Sequence, residues 1–274
     1  MHEVSPSKGS PHKEIVRIQR FLGYGKSDPD PLVSIRLPDI GPEHFADWRD
    51  RRLMEVSPAS VLREWNLLSS ACNRAAKEWR WLTENPMSHV TRPKKPNPRD
   101  RRVSEEEIER IKIVCGYSES SFMQTKQERV AAAFLFAIET AMRAGEICML
   151  RWGDIDDGRK LAHVRAVDAG AKKTGNSRVV PLSVEAIRIV EQLRGIDSEF
   201  VFALSVASLD ANFRKAKRKA IIGDLHFHDS RAEALTRLSK RYDVMKLAQI
   251  SGHKDIRILH EVYYRETVED WWEG

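Results

Sequence analysis

Arginine, lysine, histidine and tyrosine recur along the second half of the chain where their side chains could bind an anion or move a proton. The run Thr140-Ala141-Met142-Arg143-Ala144-Gly145-Glu146 sets Arg143 at the end of an apolar helix, where a guanidinium needs a partner or a ligand. Lys173 falls in a hairpin turn, Lys173-Thr174-Gly175-Asn176, ahead of Arg178-Val179-Val180-Pro181-Leu182, with Lys172 as its local competitor. His228-Asp229-Ser230-Arg231 spaces His228 and Arg231 at i and i+3, on one helical face. Gly252-His253 follows an apolar helix, and Tyr263-Tyr264 stands near the C-terminus. The acidic residues show no matching arrangement. Asp154, Asp156 and Asp157 precede a strand and read as a turn, not as the clustered carboxylates of metal-assisted transfer.

These residues need elements to hold them. Val130 to Ala141 is too apolar for a surface helix and is expected in the core. Strands are expected at Leu161–Val167 and Arg178–Leu182, and helices resume near Ser183, Leu209, Ser230, Val244 and Asp255. The expected fold is mainly α with a small antiparallel β-sheet.

The first half is helical throughout. Ile15, Ile18, Phe21 and Leu22 mark one amphipathic helix. Gly41-Pro42-Glu43 opens a second with Phe45, Trp48 and Leu53, and Ser57-Pro58 a third running from Val61 to Trp79. Between the halves, residues 86–102 combine four prolines with a run of Lys and Arg, which no helix can continue. Ser104-Glu105-Glu106-Glu107 then forms a capping box. The division is therefore a flexible N-terminus over 1–11, a helical domain over 12–85, a basic linker over 86–102 and a second domain over 103–274.

Bulk properties narrow the classes. No apolar run reaches the roughly 20 residues that span a bilayer, and the polar start from Met1 to His12 has no signal-peptide core, so a soluble cytoplasmic protein with no membrane partner is expected. Cys72, Cys115 and Cys148 are too scattered for a disulfide framework or a metal cluster. The glycine loops GxxxxGK[ST] and GxGxxG are both absent. A net charge of +6 and a pI near 9.2 favour a polyanionic partner.

Taken in order, Arg143, Lys173, the HxxR box at His228 and Arg231, the GH box at His253 and the terminal tyrosines resemble the tyrosine recombinase (phage integrase) family. Trp152-Gly153-Asp154-Ile155-Asp156 and Val179-Val180-Pro181-Leu182 fit the same pattern. The resemblance covers the second domain. The helical first domain resembles the family's core-binding domain in position and size, without a residue-level motif.

The resemblance implies a site-specific DNA recombinase, an integrase that cleaves and rejoins DNA through a 3′-phosphotyrosyl intermediate. Protomers would assemble as a homotetramer on paired double-stranded recombination sites and exchange strands via a Holliday junction. Arg143 and Arg231 would grip the scissile phosphate, whose equatorial oxygens gain charge under attack. Lys173 would protonate the departing 5′ oxygen, and His228 and His253 would hydrogen-bond the phosphate and assist proton transfer. Glu146 would buttress Arg143. Arg92, Lys94, Lys95, Arg99, Arg101 and Arg102 would contact the DNA backbone. The chemistry implies no cofactor, because the phosphotyrosine ester retains the energy of the broken bond.

The sequence departs from the family pattern at the nucleophile. The usual spacing from the GH histidine falls on Val262, so Tyr263 is one residue late and Tyr264 two. Glu261-Val262-Tyr263 aligns better with the residues that precede the nucleophile, and on a helix the two phenols diverge by about 100°. Tyr263 is therefore the expected nucleophile and Tyr264 the alternative. Trp271 and Trp272 would pack on the domain or dock on a neighbouring protomer. Two other readings use part of the same pattern: a DNA-binding relative that has lost catalysis, and a nicking-closing enzyme like topoisomerase IB.

Overall fold

A computed structural model describes residues 11–24, 28–95, 99, 101–169, 172–174 and 177–263. The chain divides by its contacts into two compact units, residues 1–99 with 169–172 and residues 100–168 with 173–274.

In the first unit three helices follow the expected pattern: α1 (Pro11–Phe21), α2 (Pro42–Glu55) and α3 (Pro58–Lys77). Phe45, Trp48, Val61 and Trp65 are buried together, with the Trp48 and Trp65 rings 6.2 Å apart. Arg52 enters this core and is matched there by Glu64, through Nε–Oε2 at 2.8 Å and Nη2–Oε1 at 2.7 Å. Such a pair is tolerated inside because both prongs of the fork are satisfied. Pro86–His89 winds into a 3₁₀ turn whose Met87 joins the same core. The start of the proline-rich stretch thus packs on this unit, since Pro86 and Met87 have apolar surface to bury.

The second unit begins with α4 (Glu105–Cys115), α5 (Lys126–Thr140) and α6 (Ala144–Cys148). The capping box expected at Ser104 is present: Glu107 N donates to Ser104 Oγ at 3.2 Å, and Ser104 N to Glu107 Oε2 at 3.1 Å. Along the chain then come the strands β1 (Ile155–Asp156), β2 (Leu161–Val164), β3 (Val167–Ala169), β4 (Lys172–Thr174) and β5 (Arg178–Pro181), of which Ala169 and Lys172 group with the first unit. Then come α7 (Val184–Gln192), α8 (Val206–Lys219), α9 (Asp229–Ser239), α10 (Val244–Ser251) and α11 (Ile256–Tyr263). The apolar α5 is almost entirely buried and packs against α4, α7, α8 and α9. A smaller core of Ala141, Ala234, Leu235, Leu247, Ala248 and Leu259 joins the end of α5 to α9, α10 and α11.

The fold is mainly helical with a small antiparallel sheet, ordered β1-β2-β5, in which Val164 pairs with Arg178 and Leu161 with Pro181. Three details differ from the sequence reading. The expected strand Leu161–Val167 is broken, and β3 pairs with β4 as a separate ribbon. Lys173 consequently lies on strand β4, the partner of β3, and not in a turn; Gly175-Asn176, whose turn chemistry suggested otherwise, lies outside the described residues. Helix α8 also starts earlier than Leu209, since Ser205 caps it by accepting from Ser208 N.

Candidate active site

Helix α5 ends at Ala141, which takes a left-handed conformation at φ 54° and turns the chain sharply into Arg143. Arg143 is the N-cap of α6. Its backbone N–H donates to Glu146 Oε2 at 2.8 Å and its Nη1 to Oε1 at 3.0 Å, while the side chain stays partly exposed. The same carboxylate takes both prongs of Arg178 from β5, at 2.8 and 2.7 Å. Burial alone would raise the Glu146 carboxyl, but the hydrogen bonds from Arg178 and from the Arg143 N–H outweigh it and bring it down to about 2. Glu146 is therefore a fixed negative charge, unfit to shuttle protons at neutral pH.

Arg231 lies in the first turn of α9 and is buried. It donates through Nη1 to the Ala141 carbonyl and through Nη2 to the Ser251 carbonyl at 2.6 Å. Burial first, then the neighbouring charge of Arg143, pulls its guanidinium down to about 9. It remains charged at neutral pH, and a bound anion would relieve the strain of holding it there. His228 caps the same helix. Its pKa is lowered by the protein atoms around it and by Arg231 and Arg143, so the neutral ring is favoured although its surface is open to solvent.

His253 follows the C-terminus of α10, and its Nδ1 lies 2.7 Å from Ser251 Oγ. Burial foremost, then Arg231, Arg143 and Arg178, brings it down to about 4. Tyr263 closes α11, half-buried against the core around Leu259, and its phenol lies within electrostatic reach of Arg231. Arg143, His228, Arg231, His253 and Tyr263 thus gather in one neighbourhood where three guanidiniums, counting Arg178, meet the carboxylates of Glu146 and Asp229. Its surplus is positive. The side chain of Lys173 and all of Tyr264, Trp271 and Trp272 lie outside the described residues.

Arg178 is the residue that the motif pattern undervalued. Beyond Glu146, its Nε donates to the Ile250 carbonyl at 2.7 Å, so it ties β5 to both α6 and α10. The available signal was an arginine opening an otherwise apolar strand. The Asp154 group does not converge. Asp154 accepts from Arg165 Nε at 2.6 Å, Asp156 from Arg159 N at 2.9 Å, and Asp157 from Arg194 Nη2 at 2.7 Å. No group of three metal-ligating side chains occurs among the described residues.

The basic stretch is heterogeneous. In the first unit Arg92 donates to Asn66 Oδ1 at 2.5 Å, and Lys94, Lys95 and Arg99 are exposed. In the second unit Arg101 pairs with Glu107, and Arg102 donates to Glu233 through Nε and Nη2 at 2.7 and 3.0 Å. Glu233 also accepts from Val103 N and Arg237 Nε. Residues expected on the DNA backbone at Arg101 and Arg102 therefore have carboxylate partners in their own unit. No helix among the described residues is long and apolar enough to cross a membrane.

Residues 101–270 match the model of the phage integrase family. A Haemophilus influenzae protein bearing the provisional name integrase/recombinase is 43% identical over 271 residues, 96% of this chain and 70% of its own length. The shufflon-specific DNA recombinase of Escherichia coli is 34% identical over 239 residues, 84% of this chain and 59% of that protein. Among solved structures, a lambda integrase dimer bound to a COC′ core site superposes with a TM-score of 0.71 at 20% identity, covering 97% of this chain and 90% of that one. The Tn1549 transposon integrase bound to transposon right end DNA gives 0.69 at 14% identity, covering 96% and 92%.

Proposed function

The chain belongs to the phage integrase family, the tyrosine recombinases, and from that premise we propose that it is a site-specific recombinase that cuts and rejoins DNA through a 3′-phosphotyrosyl intermediate. The observation that carries this reading is the convergence of Arg143, His228, Arg231, His253 and Tyr263 on one electropositive neighbourhood. Arg143 and Arg231 would hold the non-bridging oxygens of the scissile phosphate. The Tyr263 oxygen attacks phosphorus, the bond to the 5′ oxygen breaks, and Lys173 supplies that oxygen with a proton. The phenolic proton passes to a neutral histidine of the site. Rejoining is the reverse step with a 5′-hydroxyl from the partner duplex, so the ester's own energy suffices.

Two charged forks suit this task because they stabilise the extra negative charge of the transition state while remaining protonated. The first unit would act as the core-binding domain, and the exposed cations Lys94, Lys95 and Arg99 would contact the DNA backbone. A homotetramer on paired sites, exchanging strands through a Holliday junction, completes the proposal, with the cytoplasmic nucleoid as its place of action.

The test starts from duplexes selected for binding out of a random-sequence pool. A nicked suicide version of the selected duplex should trap a covalent protein–DNA adduct that survives denaturation. Tyr263→Phe should abolish the adduct and Tyr264→Phe should retain it; the opposite result would move the nucleophile to Tyr264. No adduct from the unaltered protein would favour a DNA-binding relative without catalysis. Relaxation of supercoils without recombination of two sites would favour a nicking-closing enzyme.

A further inference from the structure

The last residue of α10 carries a hydroxyl that determines where His253 keeps its proton. Ser251 is fully buried, and its Oγ lies 2.6 Å from the carbonyl oxygen of Leu247 one turn earlier and 2.7 Å from His253 Nδ1. A carbonyl oxygen can only accept, so the single hydroxyl hydrogen of Ser251 is committed to Leu247. The other contact must then run the opposite way, with His253 Nδ1 donating to the hydroxyl oxygen. His253 is neutral at pH 7, so it has only that one ring hydrogen, and its Nε2 is bare.

The geometry around the pair is held from both sides. The Ser251 carbonyl accepts from Arg231 Nη2 at 2.6 Å, and Gly252, at φ 72°, turns the chain so that His253 comes back toward the serine hydroxyl. Ser251 therefore touches two members of the site, Arg231 through its backbone and His253 through its side chain.

We propose that Ser251 is a positioning residue that locks His253 in its Nδ1–H tautomer, leaving Nε2 free to accept a proton during strand cleavage. The proton it accepts is the one released by the attacking phenol: the O–H bond of the tyrosine breaks as its oxygen bonds to phosphorus, and the hydrogen moves to Nε2. The imidazolium so formed faces the added negative charge of the phosphate, and it returns the proton to the phenolate when the strand is rejoined. This catalytic half rests on the strand-transfer function proposed above; the tautomer does not.

The tautomer can be read directly in the full chain without DNA. Long-range proton–nitrogen correlation of the ¹⁵N-histidine-labelled protein at pH 7, with His253 assigned by His253→Gln, should show a protonated Nδ1 and a bare Nε2. Ser251→Ala should shift His253 toward the Nε2–H form that free imidazole side chains prefer. An Nε2–H form in the unaltered protein would overturn the proposal whatever the protein does to DNA. On the selected duplex, Ser251→Ala should slow adduct formation roughly tenfold or more with DNA affinity unchanged. Ser251→Thr, which keeps the hydroxyl, should recover most of the rate. Equal rates for Ser251→Ala and the unaltered protein would defeat the catalytic half. A complete lack of adduct from the unaltered protein would defeat the strand-transfer reading and that half with it, leaving the tautomer to be judged by the spectrum.

Discussion

Arg178 and Glu146 face each other as a two-pronged ion pair, Nη1–Oε1 at 2.8 Å and Nη2–Oε2 at 2.7 Å, with both side chains nearly buried. The pair does more than neutralise itself. Glu146 also accepts from the backbone and guanidinium of Arg143, and Arg178 reaches the Ile250 carbonyl at the end of α10. The turn bearing Arg143, the strand after Lys173 and the helix before His253 are thus joined by one strut.

Removing one half of that strut should be expensive. Glu146→Gln leaves Arg178 without its countercharge in a site of low exposure, and a loss of about 3–5 kcal/mol in urea unfolding is expected. Replacing both residues, as Glu146→Leu with Arg178→Met, should cost clearly less than the single change, because no buried charge is then stranded. A double variant as unstable as Glu146→Gln would show that the strut acts by packing and not by charge.

Acid should weaken the second unit in two windows. His253 drops from an ordinary 6.5 to about 4 in the folded chain, so the unfolded chain binds its proton first. Stability is full above pH 6.5 and declines as pH falls toward 4. Glu146 and Glu233 drop from 4.5 to about 2; in Glu233 burial opposes the shift, and the hydrogen bonds from Arg102, Arg237 and Val103 N–H outweigh it. Their contribution is present above pH 4.5 and is lost as pH falls toward 2. Urea midpoints measured across pH should show both declines. His253→Gln should flatten the upper window alone, and Glu233→Gln should reduce the lower one.

Gly252 should tolerate no side chain. At φ 72° an alanine is already strained, and its Cβ would lie 3.2 Å from Arg178 Cδ and 3.3 Å from its Nε and Nη1. Gly252→Ala should therefore lower stability by on the order of 2–3 kcal/mol and slow adduct formation by disturbing the strut. Gly195→Ala is the control: φ is 85° but nothing lies within 4 Å, so only the backbone strain of about 1 kcal/mol should appear. Equal losses at the two positions in urea unfolding would mean that Arg178 yields freely to the added methyl.

Arg143, His228, Arg231 and His253 were legible in the sequence because their types and order are unusual together, and α5 because a run as apolar as Val130–Ala141 must be buried. Other features depend on partners far along the chain. Arg178 looks like one more strand residue until Glu146, 32 residues earlier, is brought against it. Ser251 is a small helix residue whose importance appears only when Leu247 and His253 are both brought against its hydroxyl. The pairing of β3 with β4, which puts Lys173 on a strand, was missed because Gly175-Asn176 carries the strongest turn signal in that part of the sequence. Charge density from Arg92 to Arg102 likewise says nothing of which cations the protein itself has already paired.

That last distinction separates two roles within one basic stretch. Lys94 and Lys95 are exposed in the first unit, whereas Arg102 is tied to Glu233, two residues after Arg231 on α9. Phosphate contacts release counterions, so each lysine that makes one should contribute about 0.9 to the slope of log affinity against log salt. Lys94→Ala with Lys95→Ala should flatten that slope by nearly two in anisotropy titrations on the selected duplex, and leave urea unfolding unchanged. Arg102→Ala should do the reverse: a slope close to that of the unaltered protein, with about 1–2 kcal/mol lost in urea, because Glu233 keeps Arg237 and Val103 N–H but loses a forked partner. A salt slope that falls for Arg102→Ala with stability intact would place that guanidinium on the DNA backbone after all.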